Sequence, residues 1–279
     1  MEKGTLYIVA TPIGNLEDIT FRAVRILKEV DLIAAEDTRH SRKLLTHLGI
    51  SKPLTSYFDH NKDFKGPYLL DKLQEGLSVA LISDAGTPCI SDPGYQLVRE
   101  AVEAGIDVVP IPGPSAFVTA LSASGLQTDS FAFEGFLPNR QGKRRAKLES
   151  LKEEIRVIIF YESPKRLLAS LKDMLDILGD REVVIAREIT KVYEEFTRGF
   201  LKEIISELGK RSVKGEVLVL VSPAISTHAP GDAHFHDLLR KYLLNDKLSV
   251  KDSVKKVSQE TGLKRSKLYE EALLIMKKS

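Results

Sequence analysis

Apolar positions in this chain recur at two spacings, and the switches between them divide most of it into short strands and helices. Residues 5–10 alternate and are rich in β-branched types, which predicts a first strand. Residues 19–30 then carry Ile19, Val24, Ile26, Leu27 and Val30 at helical intervals. A second apolar strand at 31–35 runs into a helix with Asp37 as its N-cap, which continues through Leu48 until Gly49 ends it. Residues 53–57 are a candidate third strand, 62–75 a helix, and 78–82 a buried strand. After the loop ISDAGTPCISDPG, residues 95–101 read as a helix with Asp92 as N-cap and Pro93 at its first position. A strand at 107–111 and a helix at 116–124 follow.

The pattern breaks between Ser124 and Asp129, which places a boundary near 115–127. A second set of elements then begins: a strand at 131–134, a loop at 135–142, a basic helix at 143–153 and a strong strand at 156–161. A helix at 164–178, strands at 182–186 and 194–197, a helix at 200–208 and a strand at 217–221 complete it. Residues 222–233 are rich in Ser, Pro, Thr and Gly and read as a linker. Residues 235–244, 250–259 and 264–276 carry helical patterns, with Glu260-Thr261-Gly262-Leu263 resembling the turn of a helix-turn-helix. The expected organisation is α/β, with a parallel or mixed sheet: one α/β domain over 1–120, a second over 121–224, and a helical tail over 225–279.

Composition narrows the class without naming a function. A chain of 279 residues with 43% hydrophobic and 29% charged content has ample core for a globular protein. Cys89 is the one cysteine, which excludes an internal disulfide and, with six scattered histidines, argues against a Cys/His zinc site. No run approaches the length of a membrane span, and the N-terminus enters a strand directly, so a cytoplasmic protein is expected. The net charge of +2 is unevenly divided. Residues 225–279 hold eleven Lys/Arg against seven Asp/Glu, while the rest of the chain is slightly acidic. A second basic cluster comprises Arg140, Lys143, Arg144, Arg145 and Lys147. Such clusters are solvated faces or contacts to a polyanion such as RNA.

The usual phosphate motifs are missing: there is no G-x-G-x-x-G after a strand, and Gly135 to Lys143 has the wrong spacing for a P-loop. G-x-S-x-G and H-E-x-x-H are absent too. The turns that recur after strands are instead ATPIGNLED, SDAGTPCISDPG and PIPGPSA, which use Pro as often as Gly, and the charged residues fixed in them are Asp and Glu rather than Lys. A triphosphate calls for N–H donors and cations, whereas carbonyls, hydroxyls and carboxylates suit a cationic ligand such as a sulfonium.

These residues carry a resemblance. Thr11-Pro12-Ile13-Gly14-Asn15-Leu16, Ala35-Glu36-Asp37-Thr38-Arg39, Ser83-Asp84-Ala85-Gly86-Thr87-Pro88 and Pro112-Gly113-Pro114-Ser115-Ala116 are similar to motifs of the tetrapyrrole-methylase superfamily, the class III S-adenosylmethionine (SAM) methyltransferases. Phe133-Glu134-Gly135-Phe136-Leu137-Pro138, Tyr161-Glu162-Ser163-Pro164-Lys165-Arg166 and Ala186-Arg187-Glu188-Ile189-Thr190-Lys191 resemble the subgroup that methylates the ribose 2′-hydroxyl of a 16S rRNA cytidine at the decoding centre. The resemblance implies two α/β domains with SAM in the cleft between them, a homodimer, no metal, no membrane, and the small ribosomal subunit as partner. It implies cofactor contacts from Pro12, Asp84, Ala85, Gly86, Ile90, Ser115 and Ala116, with Tyr161 and Ala186 reaching from the second domain. Core packing is the plain alternative for Ile90 and Ala186.

A sugar hydroxyl is a poor acid, so a positioned base or orienting group would help. Glu36, Asp37, and Glu188 with Lys191 are the candidates. Glu36 is favoured, since Asp37 caps a helix and Glu188 could be an ion-pair partner. Phosphate contacts are expected from Arg39, Arg140, Lys143, Arg144, Arg145, Lys147, Lys165 and Arg187. A methylase of a small, tetrapyrrole-like molecule, or a ligand sensor with a DNA-binding tail, are the other readings.

Overall fold

The computed structural model describes residues 3–224, 235, 238–246, 248–261 and 265–278. Contacts divide the chain into two compact units, one of Met1–Leu151 with Arg156–Ser222, the other of Lys152–Ile155 with residues from Pro223 onward. The first unit holds two five-stranded sheets.

The first sheet is built from β1 (Thr5–Val9), β2 (Leu32–Ala35), β3 (Leu54–Ser56), β4 (Val79–Ile82) and β5 (Asp107–Ile111), in the order β3-β2-β4-β1-β5. Every neighbouring pair is parallel. A parallel sheet needs both faces covered, and the wholly buried β2 and β4 show why these strands read as continuous apolar runs. One face packs Val9, Ile33, Ala80 and Ile82 against α1 (Phe21–Glu29) and α2 (Thr38–His47). The other packs Leu6, Ala34, Val79 and Leu81 against α3 (Lys62–Gln74) and α4 (Tyr95–Glu103). The connections leaving the neighbours β1 and β4 run to opposite sides of the sheet, towards β2 and β5. Their carboxyl ends are therefore a topological switch point, where open α/β sheets bind ligands.

The second sheet is mixed. It is built from β6 (Phe131–Phe136), β7 (Val157–Glu162), β8 (Glu182–Arg187), β9 (Glu195–Phe200) and β10 (Val217–Val221), in the order β6-β7-β10-β8-β9. Only β6 and β7 are parallel; β10 lies antiparallel between β7 and β8, and β9 is antiparallel to β8. Alternate residues of β10 face opposite ways. Val217, Val219 and Val221 join the core of α6 (Gln141–Ser150), α7 (Leu167–Leu178) and α8 (Leu201–Leu208). Leu218 and Leu220 pack with Ala120, Leu121 and Ile13 from the first half, beneath α5 (Ala116–Ser124). The turn after β1 and α5 thus share a core with the second sheet. A boundary at 120/121 falls inside α5, which runs unbroken until Gly125 in left-handed conformation ends it. Arg198 of β9 donates to the carbonyls of Ala123 and Ser124 at the same helix end.

In the second unit, Phe235, Leu239, Tyr242 and Leu243 form a small core with α9 (Val250–Thr261) and α10 (Arg265–Lys278), through Val254, Val257, Leu268 and Ala272. The Ser249 hydroxyl caps α9 by accepting from the Asp252 N–H. The expected helix-turn-helix join centres on Gly262 and Leu263, which lie outside the described residues, as does most of the expected linker.

Some expected ends shift. The N-cap of α4 is Gly94 rather than Asp92, so Pro93 precedes the helix. Gly94 has φ 145°, and a Cβ there would meet the Cys89 sulfur at 2.5 Å, so the position needs glycine on two counts. Helix α6 begins at Gln141 and ends at Ser150 instead of spanning 143–153, and α7 begins at Leu167 rather than at Pro164.

Candidate functional site

The carboxyl ends of the first sheet and one end of the second enclose a cleft of about 450 Å³. Its floor is made by the turns the chain pattern singles out. After β1, Thr11 forms an antiparallel bridge with Gly86 of the loop after β4: the Thr11 N–H donates to the Gly86 carbonyl at 2.9 Å, and Gly86 returns the bond at 3.0 Å. The Thr87 hydroxyl donates to the Pro114 carbonyl at 3.2 Å, tying that loop to the turn after β5. The Asp37 N–H, after β2, donates to Asp84 Oδ1 at 3.1 Å. Four strand ends are thereby clamped together.

The loop after β4 is wound tightly to do this. Gly86 has φ 80°, and Cys89 and Ser91 also occupy positive φ at 70° and 65°. Non-glycine residues held there carry backbone strain that the surrounding structure must enforce, and such residues cluster at binding sites. Cys89 is half-buried, and burial pushes its thiol up to about 11, so it packs as a small apolar group.

The opposite wall is aromatic and apolar. Tyr161, at the end of β7, stands edge-on to Phe133 at 5.0 Å between ring centres and 5.3 Å from Phe136. Burial raises the Tyr161 hydroxyl to about 12. Val217 and Leu218, with Gly215 and Glu216 before them, complete this side.

Glu36, Asp84 and Asp92 stand on the lining with Glu162 and Glu216 of the opposite wall, and among the described residues no Lys, Arg or His lines the cleft. Burial, and then the neighbouring Asp92, push the Glu36 carboxyl above the ordinary glutamate range, even though the Asp84 N–H donates to it at 3.5 Å. Burial likewise raises Asp92, partly offset by a hydrogen bond from Ser83. Among the described residues no group of three or more His, Cys, Asp and Glu side chains is arranged to hold a metal ion.

Of the residues expected on the cofactor side, Asp84, Ala85, Gly86, Ile90, Ser115, Ala116 and Tyr161 all line the cleft, as does Glu36. Pro12 does not, and its neighbour Ile13 takes that place. Ala186 is fully buried in the shared core, because β8 sits behind β10. Glu188 is also outside the lining. Its carboxylate accepts from the Glu216 N–H at 2.9 Å and from Lys191 Nζ at 3.0 Å, and those contacts hold its pKa low. Glu188 thus fastens the Glu216 backbone beside the cleft, and in this arrangement its carboxylate is engaged by these two donors rather than facing the cleft. Asp92, Thr87, Phe136 and the stretch Gly215 to Leu218 were not foreseen. The rule that ligands sit at carboxyl ends misses Gly215 to Leu218, because antiparallel β10 brings its amino end to the cleft.

The basic candidates separate by environment. Arg144 is buried, with Nε 2.8 Å from Asp173 Oδ2, so it cannot meet a phosphate. Arg145 bridges Asp173 and Asp176 at 2.8 and 3.1 Å, and Lys147 pairs with Glu134 at 2.6 Å. Arg187 is held by Glu195 at 3.0 Å. Arg140, Lys143 and Lys165 are exposed. Arg39 is exposed too, with a loose pairing to Asp37 at 3.2 Å. Glu162 anchors the start of the Ser-Pro-Lys-Arg turn, accepting from the Ser163 N–H, the Ser170 hydroxyl and Arg166 at 2.6, 2.6 and 2.7 Å.

Residues 5–205 match the family of tetrapyrrole (corrin/porphyrin) methylases. The chain is 49% identical over 272 residues to the ribosomal RNA small subunit methyltransferase I of Halalkalibacterium halodurans, covering 96% of this chain and 94% of that one. It is 48% identical to the protein of the same name from Escherichia coli O157:H7, covering 97% and 95%. Among solved structures it is similar to cobalt precorrin-4 methyltransferase, a cobalamin biosynthetic enzyme (TM-score 0.59, 18% identity, 78% of this chain and 94% of that one). It is also similar to uroporphyrin-III C-methyltransferase from Thermus thermophilus in complex with S-adenosylhomocysteine (TM-score 0.56, 20% identity, 81% and 100%). At these identities the solved structures speak for the fold alone.

Proposed function

The chain belongs to the tetrapyrrole methylase family, in the group of the ribosomal RNA small subunit methyltransferases I, and from that premise we propose that it uses SAM to methylate small-subunit ribosomal RNA, on the ribose 2′-hydroxyl of a cytidine. The observation that carries this reading is the charge of the cleft: Glu36, Asp84, Asp92, Glu162 and Glu216 stand on its lining, with no cation among the described lining side chains. Such a lining repels phosphates and favours a ligand with a positive centre. The residues therefore fit SAM, with Asp84, Ala85, Gly86 and Ser115 on the side of its methionine and Tyr161, Phe136 and Leu218 offering flat apolar surface to its adenine. When bound, that cofactor supplies a methyl group activated by a positively charged sulfur.

The protein's share is alignment and proton handling. Clamped turns hold the floor rigid, so reacting groups bound there meet in a fixed geometry, which can be worth several kcal/mol of barrier. Glu36 is held at the end of β2 with raised basicity, which suits it to accept or orient the proton of a sugar hydroxyl. A homodimer in the cytoplasm, acting on the small subunit or its precursor, completes the proposal.

The test is to incubate the purified protein and SAM with 30S subunits and with free 16S rRNA, then map methyl groups by mass spectrometry. A single new ribose methyl on a cytidine is expected; a methyl confined to a base, or none on rRNA, rejects the assignment. Glu36→Gln is expected to retain SAM binding by calorimetry while single-turnover methyl transfer falls at least about tenfold. Unchanged turnover removes Glu36 from the chemistry.

A further inference from the structure

The acidic lining that suits a cationic cofactor is hostile to RNA phosphates, so a substrate strand entering the cleft needs its phosphates held outside it. The rim beside Glu36 carries such a surface. Helix α2 starts two residues after Glu36 and turns Ser41 and Leu45 inward. Arg39, Arg42, Lys43 and Thr46 fall at i, i+3, i+4 and i+7, on the outer face, where they line a shallow groove. All four are exposed, and α2 contains no carboxylate. The nearest acid along the chain, Asp37, is engaged in capping: it accepts from the Arg39 N–H at 2.8 Å and pairs with the Arg39 side chain. Arg42 and Lys43 form no ion pair among the described residues. At about 1.5 Å per residue, Arg39 to Lys43 span roughly 6 Å of the helix axis, and their long side chains widen that reach to neighbouring phosphates of a strand.

We propose that the outer face of α2, through Arg42 and Lys43 with Arg39 beside them, grips the phosphates of the RNA strand flanking the target nucleotide. The proposal rests on the reading of the substrate as rRNA. It also explains how an acidic cleft can serve a polyanion: the cofactor's charge is met inside and the substrate's charge is met at the rim.

The test compares wild type, Arg42→Gln/Lys43→Gln and Arg42→Lys/Lys43→Arg in binding a 16S rRNA fragment across a salt titration, with methylation of 30S subunits and SAM calorimetry alongside. Each phosphate contact to a single strand contributes about 0.7 to the slope of log K against log salt. The neutralised variant should therefore lose a slope of about 1.4 and bind the RNA on the order of tenfold more weakly at 0.15 M salt, while its SAM affinity and Tm stay unchanged. The charge-conserving variant should keep the wild-type slope. A wild type that methylates rRNA, together with a neutralised variant of identical affinity and slope, overturns the proposal and leaves the substrate assignment standing. A wild type that methylates no rRNA overturns the assignment, and the proposal with it.

Discussion

Helices α2 and α6 are both ten residues long, and both carry several cations on a short stretch of chain. Their surroundings differ. On α6, Arg144 is buried against Asp173 of α7, Arg145 reaches Asp173 and Asp176, and Lys147 is taken by Glu134. Burial alone would raise Asp173, but hydrogen bonds from Arg145, Arg144 and Gln141 hold it below the ordinary aspartate range. On α2, Arg42 and Lys43 face solvent without such partners, and Arg39 has only the capping Asp37. The cluster with more charge in the sequence is largely spent on fastening α6 to α7, and the smaller one remains available. Counting Lys and Arg measures charge; only the neighbouring carboxylates decide whether a phosphate can reach it.

The largest effect that sharpens this contrast is on stability. Arg144→Gln leaves Asp173 buried with Arg145 as its remaining cation, and should cost roughly 3 kcal/mol. Urea unfolding measures it, and a loss below about 0.5 kcal/mol would mean that α6 is held by apolar packing alone. Next in size is the pH dependence of that loss. Because the folded-state pKa of Asp173 is lowered, its ion pair contributes fully at pH values above the unfolded pKa of about 4 and is lost as pH falls through the lower folded value. The stability gap between wild type and Arg144→Gln should therefore narrow in acid; a gap that stays constant breaks the electrostatic account. The smallest effect is expected at Lys147, whose pair with Glu134 is part-exposed. Lys147→Gln should change stability by less than about 1 kcal/mol and leave the salt slope of RNA binding unaltered. A slope reduced as much as by the α2 substitutions would make both helices RNA-facing and erase the distinction.

Much of the fold was legible because local pattern and burial agree. The continuous apolar runs of β2, β4 and β10 announce strands covered on both faces, and the helical spacing of Ile19, Val24, Ile26, Leu27 and Val30 meets the sheet as its period requires, with Ile26, Leu27 and Val30 buried and Ile19 and Val24 at the edge. The turns after β1, β4 and β5 stand out in the sequence, since Gly and Pro crowd there for backbone reasons that act over a few residues, and all three line one cleft. What failed was local detail set from a distance. Gly94 displaces Asp92 as the cap of α4 because Cys89 packs against it. Glu188 is drawn from the cleft because the Glu216 N–H and Lys191 claim its carboxylate.

The amino-acid order by itself determined which segments become strands and helices, where they turn, and that three Pro- and Gly-rich turns, two of them bearing acids, would meet at the ends of one sheet. Tertiary structure alone decided the direction of β10, and so the second wall of the cleft. It also decided the pairing of Arg144 with Asp173, 29 positions away. Both depend on which distant groups come within a few ångströms of one another. The strength of a charge or a strand pairing follows from that separation and its burial, and neither is a property of neighbouring residues along the chain.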